Sequence, residues 1–146
     1  EKADESGAVI KEILEANDYE VVHYELISDD LDGIKNSLIR VCDQNISLVL
    51  TTGGTGLSKR DNTPEATKAV IEKEVQGISE AMRYHSLQIT PRAMLSRGVS
   101  GIRQNSLIIN LPGSPKAVRE NLEYIIPSLR HGLEILRGEA SNCARK

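Results

Sequence analysis

Residues 51–61, Thr-Thr-Gly-Gly-Thr-Gly-Leu-Ser-Lys-Arg-Asp, gather what an anion site needs. Three glycines in four positions, Gly53, Gly54 and Gly56, let backbone amides approach a ligand closely. Thr52 and Thr55 add hydroxyls, Lys59 and Arg60 add positive charge, and Asp61 places a carboxylate among them. Thr63-Pro64-Glu65 follows and reads as a helix start, with Thr as the cap, Pro at the first helical position and an acid in the first turn. Polarised turn amides running into a helix N-terminus attract phosphate. The pattern is not a Walker A motif, since no Gly-Lys-Ser/Thr follows a four-residue gap, and the dinucleotide fingerprint lacks its third glycine. Asp61 reads either as part of the anion site or as a helix-end residue beside Arg60.

A second turn has the same form. Pro112, Gly113, Ser114 and Pro115 combine a glycine with a Ser cap and a Pro at the first helical position, followed by Lys116. Each turn follows a short apolar run, residues 46–51 and 106–111, that reads as a buried strand. In an open, mostly parallel sheet both turns lie at the carboxyl ends of strands, where ligands bind. Asp29 follows a β-rich run at 19–27 and belongs on the same rim, although N-capping of the next helix explains it equally well.

The elements that must position these groups alternate along the chain. Residues 1–5 read as a surface loop, and Val9, Ile10, Ile13 and Leu14 then mark a helix that stops at Asn17. Residues 19–27 read as a strand, and 31–44 as a helix with Ile34, Leu38, Val41 and Cys42 inward. Helices are predicted over 64–74 and 79–87, and a helical turn over 90–94. The stretch 96–105 reads as a loop entering a short strand. The last helical pattern runs from Pro115 to Arg137, and Pro127 is expected to break or kink it. Residues 139–146 read as a polar, frayed tail. The sum is one domain over residues 1–146, a three-layer α/β/α fold with a mostly parallel sheet and a small antiparallel excursion around 96–110.

Composition narrows the function classes. A chain of 146 residues with 39% hydrophobic content holds a real core, but without Phe or Trp that core is aliphatic. A net charge of −3 with no basic block argues against nucleic acid. No apolar run reaches the length of a membrane span. Cys42 and Cys143 have no metal or redox spacing, which suits a reducing cytoplasm. His23, His85 and His131 are scattered and read as structural or exposed.

Residues 51–67 resemble the molybdopterin adenylyltransferase family, the MogA/MoaB type that also supplies a domain of gephyrin. The likeness continues through Met94-Leu95-Ser96-Arg97 and Leu111-Pro112-Gly113-Ser114-Pro115-Lys116, and covers nearly the whole chain. The resemblance implies joining of molybdopterin to the AMP part of ATP with release of pyrophosphate, in the presence of Mg2+. It implies hand-over to a molybdate-inserting enzyme, a compact homotrimer and a cytoplasmic setting. It places the two functional aspartates, as catalytic groups and metal holders, on Asp29 and Asp61. It places the glycine turn on Thr52, Gly53, Gly54, Thr55 and Gly56, the pterin-handling serine on Ser96, and the second turn on Gly113, Ser114 and Pro115. It also implies an opening strand and a Ser-Asp-Arg-type turn ahead of Glu1, and that strand is absent from this sequence. The alternative within the resemblance is a protein that binds molybdopterin without catalysing transfer.

Overall fold

A computed structural model describes residues 4–138. Its sheet is built on one strand. In β4 (Ser106–Leu111) every residue is buried, so both faces must be covered. Strand alternation sends Leu107, Ile109 and Leu111 to one face and Ile108 to the other. On the first face lie α1 (Glu5–Ala16), α4 (Gln76–Leu87) and α5 (Pro115–Leu136), through Ile13, Met82, Val118, Leu122, Ile125, Ile126, Leu129 and Leu133. On the second face lie α2 (Leu31–Asp43) and α3 (Thr63–Val70), through Ile34, Leu38, Val41, Cys42, Ala66 and Val70. The result is three layers around an aliphatic core, as expected. Burial pushes the Cys42 thiol up, as befits a small core residue.

The sheet order is β1-β4-β3-β2. β1 (Leu48–Thr52) runs parallel to β4 in the register Leu48 to Leu107 through Thr52 to Leu111. β3 (Ser100–Arg103) and β2 (Lys73–Glu74) form the antiparallel excursion. The parallel pair therefore ends together, and the two glycine turns leave from one edge.

Several local expectations are corrected. Residues 19–27 form no strand, and residues 20–28 make no backbone hydrogen bond to another segment among the described residues. Val22 and Leu26 stand exposed there: β-branched composition favours extended chain, but only a neighbouring edge makes a strand. Helix α3 stops at Val70 rather than near Glu74. There Ile71 turns extended, and the amides of Glu72 and Val75 bond to the carbonyls of Ile102 and Ser100. Helix α4 starts at Gln76, three residues earlier than predicted. Helix α1 starts at Glu5 because Asp4 caps it, its carboxylate accepting from the Gly7 amide at 3.0 Å. Pro127 does not divide α5, which runs as one helix of 22 residues. Pro127 lies on the exposed side, where the carbonyl left without a partner meets water. Leu122, Ile125, Ile126, Leu129 and Leu133 stay buried along one stripe, which outweighs the lost bond. The tail at 139–146, with Cys143, lies outside the described residues.

Candidate functional site

The parallel register sets the two turns against each other. The Gly53 amide donates to the Leu111 carbonyl at 3.1 Å, and the Thr52 hydroxyl donates to the Pro112 carbonyl at 2.6 Å. A Cβ added at Gly113 would lie 3.4 Å from the Gly53 Cα, so the turns are in van der Waals contact. From α1, the buried Ser6 hydroxyl donates to the Gly113 carbonyl at 2.6 Å and pins the second turn.

The first turn needs glycine for a concrete reason. Gly54 has φ +70°, and a Cβ there would lie 2.3 Å from Thr63 Oγ1. Its carbonyl accepts from the Thr63 amide at 3.2 Å, closing residues 54–63 into one loop. Thr63 is thus the first residue of α3 and packs against the turn, rather than capping the helix as predicted. The cap position falls to Asn62, which makes no side-chain capping bond. The Thr63 and Ala66 amides instead bond to the carbonyls of Gly54 and Asn62, at 3.2 and 3.0 Å. Ser114 does cap α5, its Oγ accepting from the Ala117 amide at 3.2 Å, and half-buried Pro115 opens that helix.

Asp61 sits inside the loop. Its Oδ2 accepts from the Ser58 amide at 2.9 Å and would be 3.0 Å from a Cβ at Gly56, while its own amide bonds to the Ser58 carbonyl. One carboxylate oxygen thus shapes the loop, and no bond occupies Oδ1 among the described residues. Asp29 is brought to the same rim by Asn62, whose Nδ2 donates to the Asp29 carbonyl at 3.0 Å. The cap of α2 is Asp30, through the Gly33 amide at 2.9 Å. Capping therefore does not account for Asp29, whose exposed carboxylate has no bond among the described residues. No bond joins the two carboxylates. Among the described residues no group of three His, Cys, Asp or Glu could hold a metal alone. Lys59 and Arg60 are exposed, and among the described residues their side chains have no bonded partner.

Ser96 stands apart from the glycine loop. It borders a cavity of about 220 Å³ that also meets Arg83, Gly98, Asn110 and Asn121, and reaches the second turn through Pro112 and α5 through Ala117. A neighbouring cavity of about 310 Å³ shares Ser79, Arg83, Ser96 and Gly98 with it. Ser96 Oγ accepts weakly from the Gly98 amide at 3.4 Å, and among the described residues its own proton meets no acceptor. Thr55 is buried, and its carbonyl takes the amide of Arg97, the residue after Ser96, at 2.9 Å.

Four residues that sequence reasoning did not assign complete the picture. Asn110, 2% exposed within β4, donates to the Thr51 and Thr67 hydroxyls and accepts from the Val99 amide, each at 3.0 Å. A polar residue within an otherwise apolar strand was the available signal. Asn121 accepts from the Ser86 hydroxyl at 3.0 Å. Arg83 Nη1 donates to the carbonyls of Ser96 and Gly98. Arg97 ties the glycine loop to α3, and its Nη1 meets Glu65 at 2.6 Å. That hydrogen bond holds the Glu65 carboxyl below the usual glutamate value.

Fold and site together define a class: an α/β domain with two glycine turns in contact at the carboxyl ends of its parallel strands. Comparison with known proteins gives the particular family. Residues 1–131 match a family described as a probable molybdopterin binding domain. A molybdopterin adenylyltransferase of Helicobacter pylori is 48% identical over 139 residues, spanning 92% of this chain and 78% of that protein. Molybdenum cofactor biosynthesis protein B of Staphylococcus aureus is 39% identical over 133 residues, spanning 88% and 79%. The crystal structure of the molybdopterin biosynthesis enzyme MoaB of Thermus thermophilus superposes with a TM-score of 0.89 at 46% identity, covering 94% of this chain and 87% of that one. This chain belongs to the MogA/MoaB family of molybdenum cofactor biosynthesis proteins.

Proposed function

We propose that this enzyme is a molybdopterin adenylyltransferase, joining molybdopterin to AMP from ATP. The observation that carries this reading is the contact between the turns at Gly53 and Gly113. It sets the glycine loop beside the cavity that Ser96, Pro112 and Asn121 border, at the ends of one parallel strand pair. The terminal phosphate of molybdopterin attacks the α-phosphorus of ATP. A new P–O bond forms, the bond from the α-phosphorus to the oxygen leading to the β-phosphate breaks, and pyrophosphate leaves. The nucleophile is already an anion, so no strong base is needed. The site must hold several negative groups together, and the amides of Gly54, Thr55 and Gly56 are suited to that. The pterin end lies toward Ser96 and the second turn, Gly113 and Ser114.

The donor set fits a magnesium ion. Mg2+ binds through one or two carboxylates plus substrate phosphates rather than in an all-protein cage. Asp29 has a free carboxylate and Asp61 a free oxygen on the same rim, so these two would hold it. When bound, the ion would offset phosphate charge.

Two wider expectations belong to the same reading. Tyr84 and Met94, 65% and 66% exposed, lie with Leu87, Ile89 and Leu95 as an apolar surface on α4 and the turn that follows. It suits a homotrimer, which light scattering of a micromolar monomer would refute. The product passes to a molybdate-inserting enzyme in the cytoplasm. No helix among the described residues is long and apolar enough to cross a membrane.

The decisive test is pyrophosphate release from ATP and Mg2+ with and without molybdopterin. Pterin-dependent release supports transfer. Tight pterin binding without release would instead make the protein a non-catalytic carrier.

A further inference from the structure

Residues 57–60 are exposed, and even Leu57 is 67% exposed, so no apolar burial orders them. Apart from two internal bonds between Ser58 and Asp61 and one from the Arg60 amide to Ser58 Oγ, the stretch 56–61 is held from outside, among the described residues, by the side chain of Arg97, with Asn62 beside it bonded to the Asp29 carbonyl. Arg97 Nε donates to the Gly56 carbonyl at 2.7 Å, Nη2 to the Asp61 carbonyl at 2.8 Å, and Nη1 to Glu65 in the first turn of α3. Its backbone amide adds the bond to Thr55. One residue thus meets the loop at both ends and the helix that follows it.

We propose that Arg97 is a positioning residue for adenylyl transfer: its guanidinium fixes the separation of Gly56 and Asp61 and so presents the loop amides and the Asp61 carboxylate in the reactive arrangement. A planar fork reaches two carbonyls and a carboxylate at once, whereas a lysine ammonium offers a single point. Arg97 is itself held from behind, because Arg83 bonds the carbonyls of Ser96 and Gly98 on either side of it. The same short segment that borders the Ser96 cavity therefore carries the brace of the loop. Displacement of catalytic groups by about 1 Å costs on the order of a hundredfold in rate.

The kinetic part of this proposal rests on the adenylyl-transfer reading, so the test has a second readout. Wild-type full-length protein, Arg97→Ala, Arg97→Lys and Glu65→Gln are compared by amide hydrogen exchange and by pyrophosphate release with ATP, Mg2+ and molybdopterin. In Arg97→Ala and Arg97→Lys the amides of Ser58, Arg60 and Asp61 exchange about tenfold faster, with α5 unchanged. kcat falls roughly a hundredfold while the KM for molybdopterin is kept. Methylguanidinium restores part of kcat to Arg97→Ala and ethylammonium does not. Should Arg97→Ala fail to fold, Arg97→Lys and Glu65→Gln, which removes one of the brace's partners, carry the comparison. Unchanged exchange at 58–61 overturns the proposal, and so does a loosened loop with kcat within about twofold of wild type. If wild type releases no pyrophosphate, the transfer reading falls by itself. ATP protection of the loop in wild type that is lost in Arg97→Ala would then still support the brace, and equal protection in both would overturn it.

Discussion

Replacing Asp61 by Asn removes a charge and keeps the shape, so it separates the two roles the geometry allows. The structural role is one hydrogen bond: Oδ2 accepts from the Ser58 amide at 2.9 Å on a half-buried residue. Asn can present its amide oxygen to the same donor. What is lost is the charge assistance of that bond, about 1 kcal/mol, which lowers the melting temperature of a domain this size by about 2–4 °C. The catalytic role is larger. A carboxylate beside phosphates repels them and makes chemical sense only if a divalent cation lies between. Losing such an electrostatic group lowers transfer by on the order of a hundredfold, equivalent to about 2.7 kcal/mol of barrier. Pterin binding survives, because the Ser96 cavity makes no bond to the Asp61 side chain. Thermal melting and pyrophosphate release on wild type and Asp61→Asn measure both. A folded variant with near-normal transfer would reduce Asp61 to a loop-shaping residue and would remove the reason for assigning Asp29 a parallel role.

Gly54→Ala should cost about 1–3 kcal/mol in urea unfolding and abolish ATP protection of the loop, since φ is +70° and the new Cβ would strike Thr63. Asn110→Ala should cost about 2–4 kcal/mol by the same measurement, because it orphans the Val99 amide and the hydroxyls of Thr51 and Thr67 inside the sheet. Leu122→Ala, at 0% exposure in the α5 stripe, should cost about 2–5 kcal/mol with little effect on the pterin KM. The lowered carboxyl of Glu65 contributes stability that is fully present above the ordinary glutamate pKa of about 4.3 and is lost as pH falls through its depressed value. Glu65→Gln should therefore flatten the acid-unfolding curve in that range and leave neutral-pH stability almost unchanged, the pair being exposed.

Element type was legible wherever a short-range pattern and the tertiary demand agreed. The apolar run of β4, the stripe of α2 and the Ser114-Pro115 start of α5 all read correctly, because burial selects the same residues that local periodicity displays. The errors fell where long-range partners decide. Residues 19–27 have strand composition but no ladder, and the end of α3 gives way to pairing with β3.

The sequence by itself determined that the chain carries a glycine-rich turn ahead of a helix, a second turn of the same form, an aliphatic α/β core and the likeness to its family. These depend on residue type and on spacings of a few positions, where glycine freedom, proline φ and side-chain periodicity act directly. Only the tertiary structure decided which groups meet. The parallel register of β1 with β4 puts Gly53 against Gly113, 60 positions apart in the chain. Asn62 carries Asp29 to the rim while Asp30 takes the cap. Arg97 reaches back across more than thirty residues to brace the loop, and Asn110 joins three separate segments in a buried network. A hydrogen bond between distant segments leaves no periodicity in the chain. It exists only once burial in the folded core has fixed both partners.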